Sequence, residues 1–135
     1  GLNRFDGKNF SLISKSDGLQ KNQIISLKED KAGNICIQYG IREGVRESSG
    51  QIDMYNTITG VITPFELNTG SGEQAHGHIE FLITDRDKNL FFVTNEEGVY
   101  QLKDNLLVEK LGIAADILDG EHRLKVSISH TICNR

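Results

Sequence analysis

The sequence predicts an all-β fold. Short apolar or alternating runs recur along the chain and are separated by polar turns, which is the pattern of consecutive β-hairpins. The turns hold Asp, Gly, Asn or Lys, residues that tolerate left-handed backbone or accept hydrogen bonds from nearby amides. Helical spacing of apolar residues is weak everywhere, and the best candidate helix, residues 105–118, is interrupted by Gly112.

Three predicted hairpins share one order of residues. Their turns start at Asp30, Asp85 and Asp119, and in each an Asn or Arg follows four residues later and precedes Ile or Leu. A second, more polar hairpin follows the first two, over residues 51–65 and 99–108, and residues 2–13 repeat that later half. The chain therefore repeats a unit of four strands.

A four-stranded unit of about 40–50 residues is typical of a β-propeller blade. The sequence thus predicts a β-propeller fragment of four-stranded antiparallel blades, about three blades in extent. The predicted boundaries are an outer hairpin of a preceding blade at 1–14, blades at 15–67 and 68–112, and an inner hairpin of a following blade at 113–135.

Composition excludes several function classes. The 135 residues have a net charge of −4 and no basic block, so nucleic-acid binding is not expected. No apolar run approaches the roughly 18 residues of a membrane helix, so we expect a soluble segment without membrane contact, any signal peptide lying outside it. Cys36 and Cys133 lack CxxC spacing and are expected to be buried thiols, their redox state left open.

The N-terminal quarter of the chain carries a more specific pattern. Its residues are Gly1-Leu2-Asn3-Arg4-Phe5-Asp6-Gly7-Lys8-Asn9-Phe10, Asp17-Gly18-Leu19, Asn22, Ile24-Ile25-Ser26-Leu27, Glu29-Asp30 and Gly33-Asn34-Ile35. In order and spacing they closely resemble the two-component regulator propeller repeat. The likeness is specific over 1–37 and degenerate over 73–111 and 113–129. The Trp of that repeat is Cys36, Phe91 and Lys125 in the three copies.

The resemblance implies a function. Such repeats build the periplasmic sensor region of bacterial hybrid two-component histidine kinases, where propellers detect polysaccharide fragments for signal transduction. It therefore implies a periplasmic segment that binds an oligosaccharide or small metabolite. No cofactor or bound metal is expected. It also implies that any histidine kinase activity belongs to the parent protein. Together with the lack of a plausible set of catalytic residues in the sequence, it predicts that this segment is not itself an enzyme.

Strand order separates the turns from the longer loops. In a four-stranded meander the first and third turns lie at one end, and the second turn and the connection to the next blade lie at the other. The first end is predicted to hold structural turns, made by Asp30, Gly33, Asn34, Asp85, Asn89 and Asp119. The longer segments 41–50 and 68–78 are predicted at the opposite end, where a ligand would bind.

The candidate ligand-binding residues belong to those two segments. The first is predicted to present Tyr39, Arg42, Glu43 and Arg46, because guanidinium groups hold carboxylates or sugar hydroxyls and a tyrosine ring offers a flat face. The second presents His76 and His78, a spacing that can chelate zinc, but without an identifiable third ligand they are read as a polar rim. A solvated charged loop is the alternative for the first segment.

Two other functions stay open at this stage. Catalytic signatures such as Gly-x-Ser-x-Gly, HExxH and the Walker loop are absent from the sequence. A lyase resembling the streptogramin-inactivating propellers would need a metal at His76 and His78, and a purely structural or protein-interaction propeller would bind neither metal nor sugar. About three blades cannot close a ring alone, so the expected partners include the remaining blades or a second copy of the chain. In a two-fold assembly, each terminal hairpin would complete the other copy's first blade.

Overall fold

The computed structural model describes residues 2–71, 78–95 and 98–112. Over these residues the chain forms short strands and two single 3-10 turns, Lys15–Asp17 and Asp104–Leu106. None of the described helical turns is long or apolar enough to span a membrane. The strands are β1 Leu2–Phe5, β2 Phe10–Ile13, β3 Ile24–Glu29, β4 Asn34–Gly40, β5 Ser48–Asn56, β6 Ile62–Phe65, β7 Ile79–Thr84, β8 Leu90–Thr94, β9 Val99–Leu102 and β10 Val108–Gly112.

These strands make three antiparallel sheets. One is the hairpin β1–β2, and the other two are meanders with the orders β3-β4-β5-β6 and β7-β8-β9-β10. The all-β fold class and the four-stranded antiparallel units of a propeller-like fragment are therefore confirmed. The predicted inner hairpin at 113–135, with its turn at Asp119, lies outside the described residues.

The chain divides into two compact units, Gly1–Glu66 and Leu67–Arg135. In the first unit the hairpin β1–β2 packs on the meander β3–β6 around a buried cluster of Leu19, Ile37, Tyr39 and Tyr55. Leu2 and Ile13 form a cross-strand pair and reach this cluster from one face of the hairpin. Alternation along the strands therefore sends one face of β1–β2 toward the core.

The second unit has its own apolar core. Phe91, Val93 and Val99 form the buried cluster, and Phe81, Ile83 and Leu111 pack against it. Every residue of β8 is buried, so this strand is covered on both faces. The continuous apolar run Leu90-Phe91-Phe92-Val93 follows from that position, because a strand buried on both faces loses the alternation of a half-exposed one.

The turn between β3 and β4 is held by one aspartate. Oδ1 of Asp30 accepts hydrogen bonds from the backbone N–H groups of Ala32 and Asn34, at 2.9 and 2.8 Å. The side-chain amide of Asn34 donates to Oδ2 of Asp30 at 3.1 Å. Gly33 adopts φ +86°, a left-handed conformation that glycine tolerates best. Asp30 and Asn34 are thus bonded within the turn, and Gly33 supplies the backbone conformation that the turn needs.

The turn between β7 and β8 repeats this arrangement. Oδ1 of Asp85 accepts from the N–H groups of Asp87 and Asn89, both at 2.9 Å, and the amide of Asn89 donates to Oδ2 of Asp85 at 2.7 Å. Lys88 takes the left-handed position with φ +62°. The two turns use the same bonds at the same spacing, which indicates that the repeat in sequence is a repeat in geometry.

Candidate functional site

The loop between β4 and β5 is short and closed at its base. It comprises residues 41–47, whereas the sequence predicts 41–50. The predicted loop is too long at its C-terminal end, because residues 48–50 belong to β5. The pairing of β4 with β5 shifts in register after Gln38 and continues to Gly40, which pairs with Ser48. A backbone hydrogen bond of 3.0 Å from Ile41 N–H to the Glu47 carbonyl then closes the loop.

Gly40 allows this loop to fold back closely. A Cβ atom at this position would lie 2.9 Å from Cγ2 of Ile25 and 3.0 Å from the carbonyl oxygen of Val45. The N–H of Gly40 donates to the Gln23 carbonyl at 2.7 Å, and Nζ of Lys21 donates to the Gly40 carbonyl at 3.5 Å. The segment 20–23 is therefore attached to the base of the loop.

Three of the predicted ligand-binding residues project from the loop into solvent. Arg42, Glu43 and Arg46 are all exposed. Within the described part of the chain, neither guanidinium group forms an ion pair or hydrogen bond. Their donors are thus available to a carboxylate, a phosphate or the hydroxyl groups of a sugar.

Tyr39 occupies a different place from the one predicted. It lies within β4, not on the loop, and its side chain is 0% exposed in the core of the first unit. Its hydroxyl donates a hydrogen bond of 2.5 Å to Oδ2 of Asp53. Burial, and then this bond to a carboxylate, raise the pKa of the Tyr39 hydroxyl. The Tyr39 ring therefore packs in the core and does not offer at the surface the flat face that the sequence predicts.

Asp53 is the centre of a buried polar group that was not predicted. Its carboxylate is 0% exposed and accepts three hydrogen bonds. Besides that from Tyr39, Oδ2 accepts one from the backbone N–H of Gln20 at 3.0 Å, and Oδ1 accepts one from Nε2 of Gln20 at 2.6 Å. A buried carboxylate without hydrogen-bond donors would destabilise the fold strongly. Moving Gln20 away from β5 would remove two of the three donors to Asp53, so these bonds hold the chain at Gln20 against β5.

Two glutamine amides meet beside this carboxylate. Nε2 of Gln51 donates to Oε1 of Gln20 at 3.2 Å, and both side chains are half-buried. The sequence does contain a trace of this group, since Asp53 interrupts the apolar run Ile52-Asp53-Met54 in the middle of a strand. We call loop 41–47, segment 20–23 and Gln51 together the polar end of the first unit.

The second predicted loop is only partly described. His76 lies outside the described residues. His78 is exposed just before β7, where its backbone N–H donates to Oδ1 of Asn95 at 3.0 Å and its carbonyl accepts from the Asn95 N–H at 3.1 Å. In residues 2–71, 78–95 and 98–112 there is no group of three metal-ligating side chains. A ligand-binding role for His76 and His78 stays a prediction.

A cavity lies near the opposite end of the first unit, beside the strand ends that carry the turns. Its volume is about 370 Å³. Nη1 of Arg4 donates to the Tyr55 hydroxyl at 3.4 Å across its wall. The lining residues come from β1, from the turn ends of β3 and β4, from the end of β5 and from the turn after it: Leu2, Asn3, Arg4, Leu27, Lys28, Glu29, Ile35, Tyr55 and Thr57.

Comparison with protein-family models, with curated proteins and with solved structures finds no match to this chain.

Proposed function

We propose that this chain is a ligand-sensing segment of a periplasmic two-component sensor and that it binds a carbohydrate or small metabolite at the polar end of the first unit. The resemblance of residues 1–37 to the two-component regulator propeller repeat supports the sensor class. One observation supports the site: two exposed arginines, without an ion pair to any described residue, extend from a closed loop. The base of that loop is joined to segment 20–23, whose Gln20 amide is bonded to that of Gln51.

The chemistry of these groups suits a sugar or an organic acid. Guanidinium groups donate two parallel hydrogen bonds, and a carboxamide offers both a donor and an acceptor, as a sugar hydroxyl does. Arg42 and Arg46 would supply the first kind of contact. Gln51 would supply the second, because both N–H bonds of the Gln20 amide are already donated to Asp53 and to the Ile52 carbonyl. An acidic sugar would use both.

The polar end is held in place before any ligand arrives. Gln20 is fixed by two hydrogen bonds to Asp53, and its Nε2 also donates to the Ile52 carbonyl at 3.1 Å. Preorganised polar groups lose little conformational entropy on binding, so they favour affinity. The buried Asp53 and Tyr39 act here as positioning residues, because they hold the chain that carries the amides.

Binding is tested first with a glycan array and then by calorimetry on the glycans that bind. Arg42→Ala or Arg46→Ala should weaken binding by about 1–3 kcal/mol, the range for a hydrogen bond to a charged group. Lys31→Ala is the matched control, since Lys31 is an exposed cation in the Asp30 turn at the other end of the sheet. It should leave the affinity unchanged.

Three results would count against this proposal. Equal losses in Lys31→Ala and the arginine variants would show a general charge effect and no site at the polar end. The absence of any glycan binding by the intact protein, together with turnover of a substrate, would indicate an enzyme. A divalent ion bound by His76 and His78 would favour the lyase alternative.

A further inference from the structure

The described residues contain two Asp-Gly dipeptides, Asp6-Gly7 and Asp17-Gly18. An aspartate that precedes a glycine is prone to cyclise, because the glycine nitrogen attacks the carboxyl carbon and no Cβ atom hinders its approach. The reaction needs a backbone nitrogen that is not bonded elsewhere and a turn that can rearrange. The structure separates the two dipeptides on both requirements.

The dipeptide Asp6-Gly7 lies in the turn between β1 and β2. Residues 6–9 are all exposed. A Cβ atom at Gly7 would meet nothing within 4 Å beyond its chain neighbours, so no other part of the described chain packs there. The N–H of Gly7 donates no hydrogen bond to any described residue. The attacking nitrogen is therefore available.

The carboxyl group of Asp6 faces forward along the chain. Its Oδ1 accepts hydrogen bonds from the backbone N–H groups of Lys8 and Asn9, at 2.9 and 2.7 Å. Both bonds lie at the surface, where water replaces a hydrogen bond that is lost, so the side chain can turn toward the Gly7 nitrogen.

The dipeptide Asp17-Gly18 is fixed on every side. The N–H of Gly18 donates to the Lys15 carbonyl at 3.1 Å, so its nitrogen is already bonded. Oδ2 of Asp17 accepts from the Ser14 N–H at 2.8 Å, which turns this carboxyl group backward along the chain. A Cβ atom at Gly18 would lie 3.5 Å from Cβ of Ile62, so the residue is packed against β6. Cyclisation here would break these contacts.

The turn between β5 and β6 offers a natural comparison. Oδ1 of Asn56 accepts from the amides two and three residues ahead, at 2.9 and 3.1 Å, as Oδ1 of Asp6 does. The next residue is Thr57, whose branched Cβ atom hinders attack by its own nitrogen. The same turn geometry is thus combined with a residue that resists cyclisation, and we expect no modification at Asn56.

We propose that Asp6 is a site of spontaneous modification in the folded protein, where the aspartyl bond to Gly7 isomerises to an isoaspartyl bond. The Gly7 nitrogen forms a bond to Cγ of Asp6. The protonated carboxyl group loses its O–H, which leaves as water with the amide hydrogen of Gly7. One water molecule then opens the cyclic imide, at Cγ to restore aspartate or at the main-chain carbonyl carbon to leave the chain joined through Cγ. Water is the only co-reactant.

The isoaspartyl bond would change the hairpin. It adds one methylene carbon to the backbone and leaves the free carboxyl group on Cα, so the Oδ1 bonds to Lys8 and Asn9 are lost. The hairpin places Leu2 and Ile13 against the core of the first unit, so its turn contributes to the packing of that unit.

The test follows the two dipeptides in one sample. The folded chain is incubated in mildly acidic water enriched in heavy oxygen and is then digested with trypsin in ordinary water. Opening of the imide adds one heavy oxygen to the residue that cyclised. Trypsin releases Asp6 in peptide 5–8 and Asp17 in peptide 16–21, and neither peptide contains a second aspartate. Chromatography separates the isoaspartyl form of each peptide.

We expect peptide 5–8 to gain label and isoaspartyl product faster than peptide 16–21, by roughly ten-fold, the factor that corresponds to breaking one hydrogen bond for ring closure at Asp17. In urea the two peptides should react at similar rates, because the contacts of Gly18 are then lost. Equal labelling of both peptides in the folded chain overturns the proposal. So does a difference between them that persists in urea, since local sequence would then be its cause.

A pair of matched variants tests the role of Gly7. Gly7→Ala adds a Cβ atom at the attacking residue and should slow the labelling of peptide 5–8. Gly60→Ala is the control, because Gly60 also has a left-handed φ, of +76°, and open space around its Cβ, but follows a threonine. This variant should label residue 6 at the wild-type rate. If Gly7→Ala does not slow the labelling, cyclisation through Gly7 is wrong. The experiment uses no glycan, so its failure leaves the proposed sensor function untouched.

Discussion

The hydroxyl of Tyr39 donates a 2.5 Å hydrogen bond to the carboxylate of Asp53, and both side chains are completely buried. The pair joins β4 to β5 from within the first unit, and Gln20 completes it from the segment before β3. The loop that carries Arg42 and Arg46 begins directly after Gly40, the residue that follows Tyr39. The stability of the core and the position of the candidate ligand site are therefore connected through one polar contact.

Tyr39→Phe should destabilise the first unit. It removes a donor from a buried carboxylate while keeping the ring, so the loss should be about 1–3 kcal/mol in the free energy of unfolding. Urea denaturation followed by circular dichroism measures this change. Tyr55→Phe is the control, because among the described residues the Tyr55 hydroxyl has one long hydrogen bond, of 3.4 Å, from Arg4. This variant should cost less than about 1 kcal/mol. An equal loss of unfolding free energy in the two variants would mean that the bond from Tyr39 to Asp53 adds no more to stability than the bond from Arg4 to Tyr55.

The two aspartate turns should contribute equally to stability. Asp30→Ala and Asp85→Ala each remove the acceptors of two backbone amides and one side-chain amide, at an expected cost of about 1–3 kcal/mol. Asp30→Asn should cost less, because its carbonyl oxygen can still accept the backbone bonds. Thermal and urea unfolding measure the changes. If Asp30→Ala abolished ligand binding without lowering stability, the turn end would be the binding surface and the polar end would not.

Gly40→Ala should affect the ligand loop and the core together. The added methyl group would meet Cγ2 of Ile25 at 2.9 Å and the Val45 carbonyl at 3.0 Å, so the loop 41–47 must shift. Overpacking of this kind costs about 1–3 kcal/mol. Urea denaturation should show that loss, and calorimetry should show weaker binding of any glycan found on the array. Gly7→Ala has open space around its Cβ, so its cost should come from backbone strain alone and leave the affinity unchanged.

Cys36 should be unreactive in the folded protein. Its thiol is 0% exposed, and burial, followed by the negative charges of Asp30 and Asp53, raises its pKa well above that of an ordinary thiol. In a Cys133→Ser background, iodoacetamide at pH 8 should label Cys36 only at the rate of unfolding. Labelling at the rate of a free thiol would contradict the burial of this side chain.

The same raised pKa predicts a dependence of stability on pH. The folded state keeps the thiol proton at a pH where the unfolded chain, with a thiol pKa of about 8.5, releases it. The contribution of Cys36 is therefore fully present below that pH and falls as the pH rises above it. Urea denaturation between pH 7 and 9.5 should show a smaller decline in Cys36→Ala than in the parent chain.

The sequence by itself determined the strands and turns of this protein, because the signals for them are local. Alternation or continuous apolarity reports how many faces of a strand are covered, and an aspartate recognises amides two and four residues ahead of it. Asp30 and Asp85 could therefore be identified as turn residues without knowledge of any distant contact. The exposure of Arg42 and Arg46 follows in the same way from their place in a polar loop.

Tertiary structure alone decided the burial of Tyr39 and the pairing of Gln20 with Asp53. Those two residues are 33 positions apart, and their contact depends on how the segment before β3 packs against β5. The shift in register between Gln38 and Gly40 also lets β5 begin at Ser48, earlier in the chain than the end of the predicted loop at residue 50. Such contacts depend on the packing of the whole unit. The residues around a tyrosine near the end of a strand are the same whether its hydroxyl faces solvent or a buried carboxylate, so the local sequence does not distinguish the two.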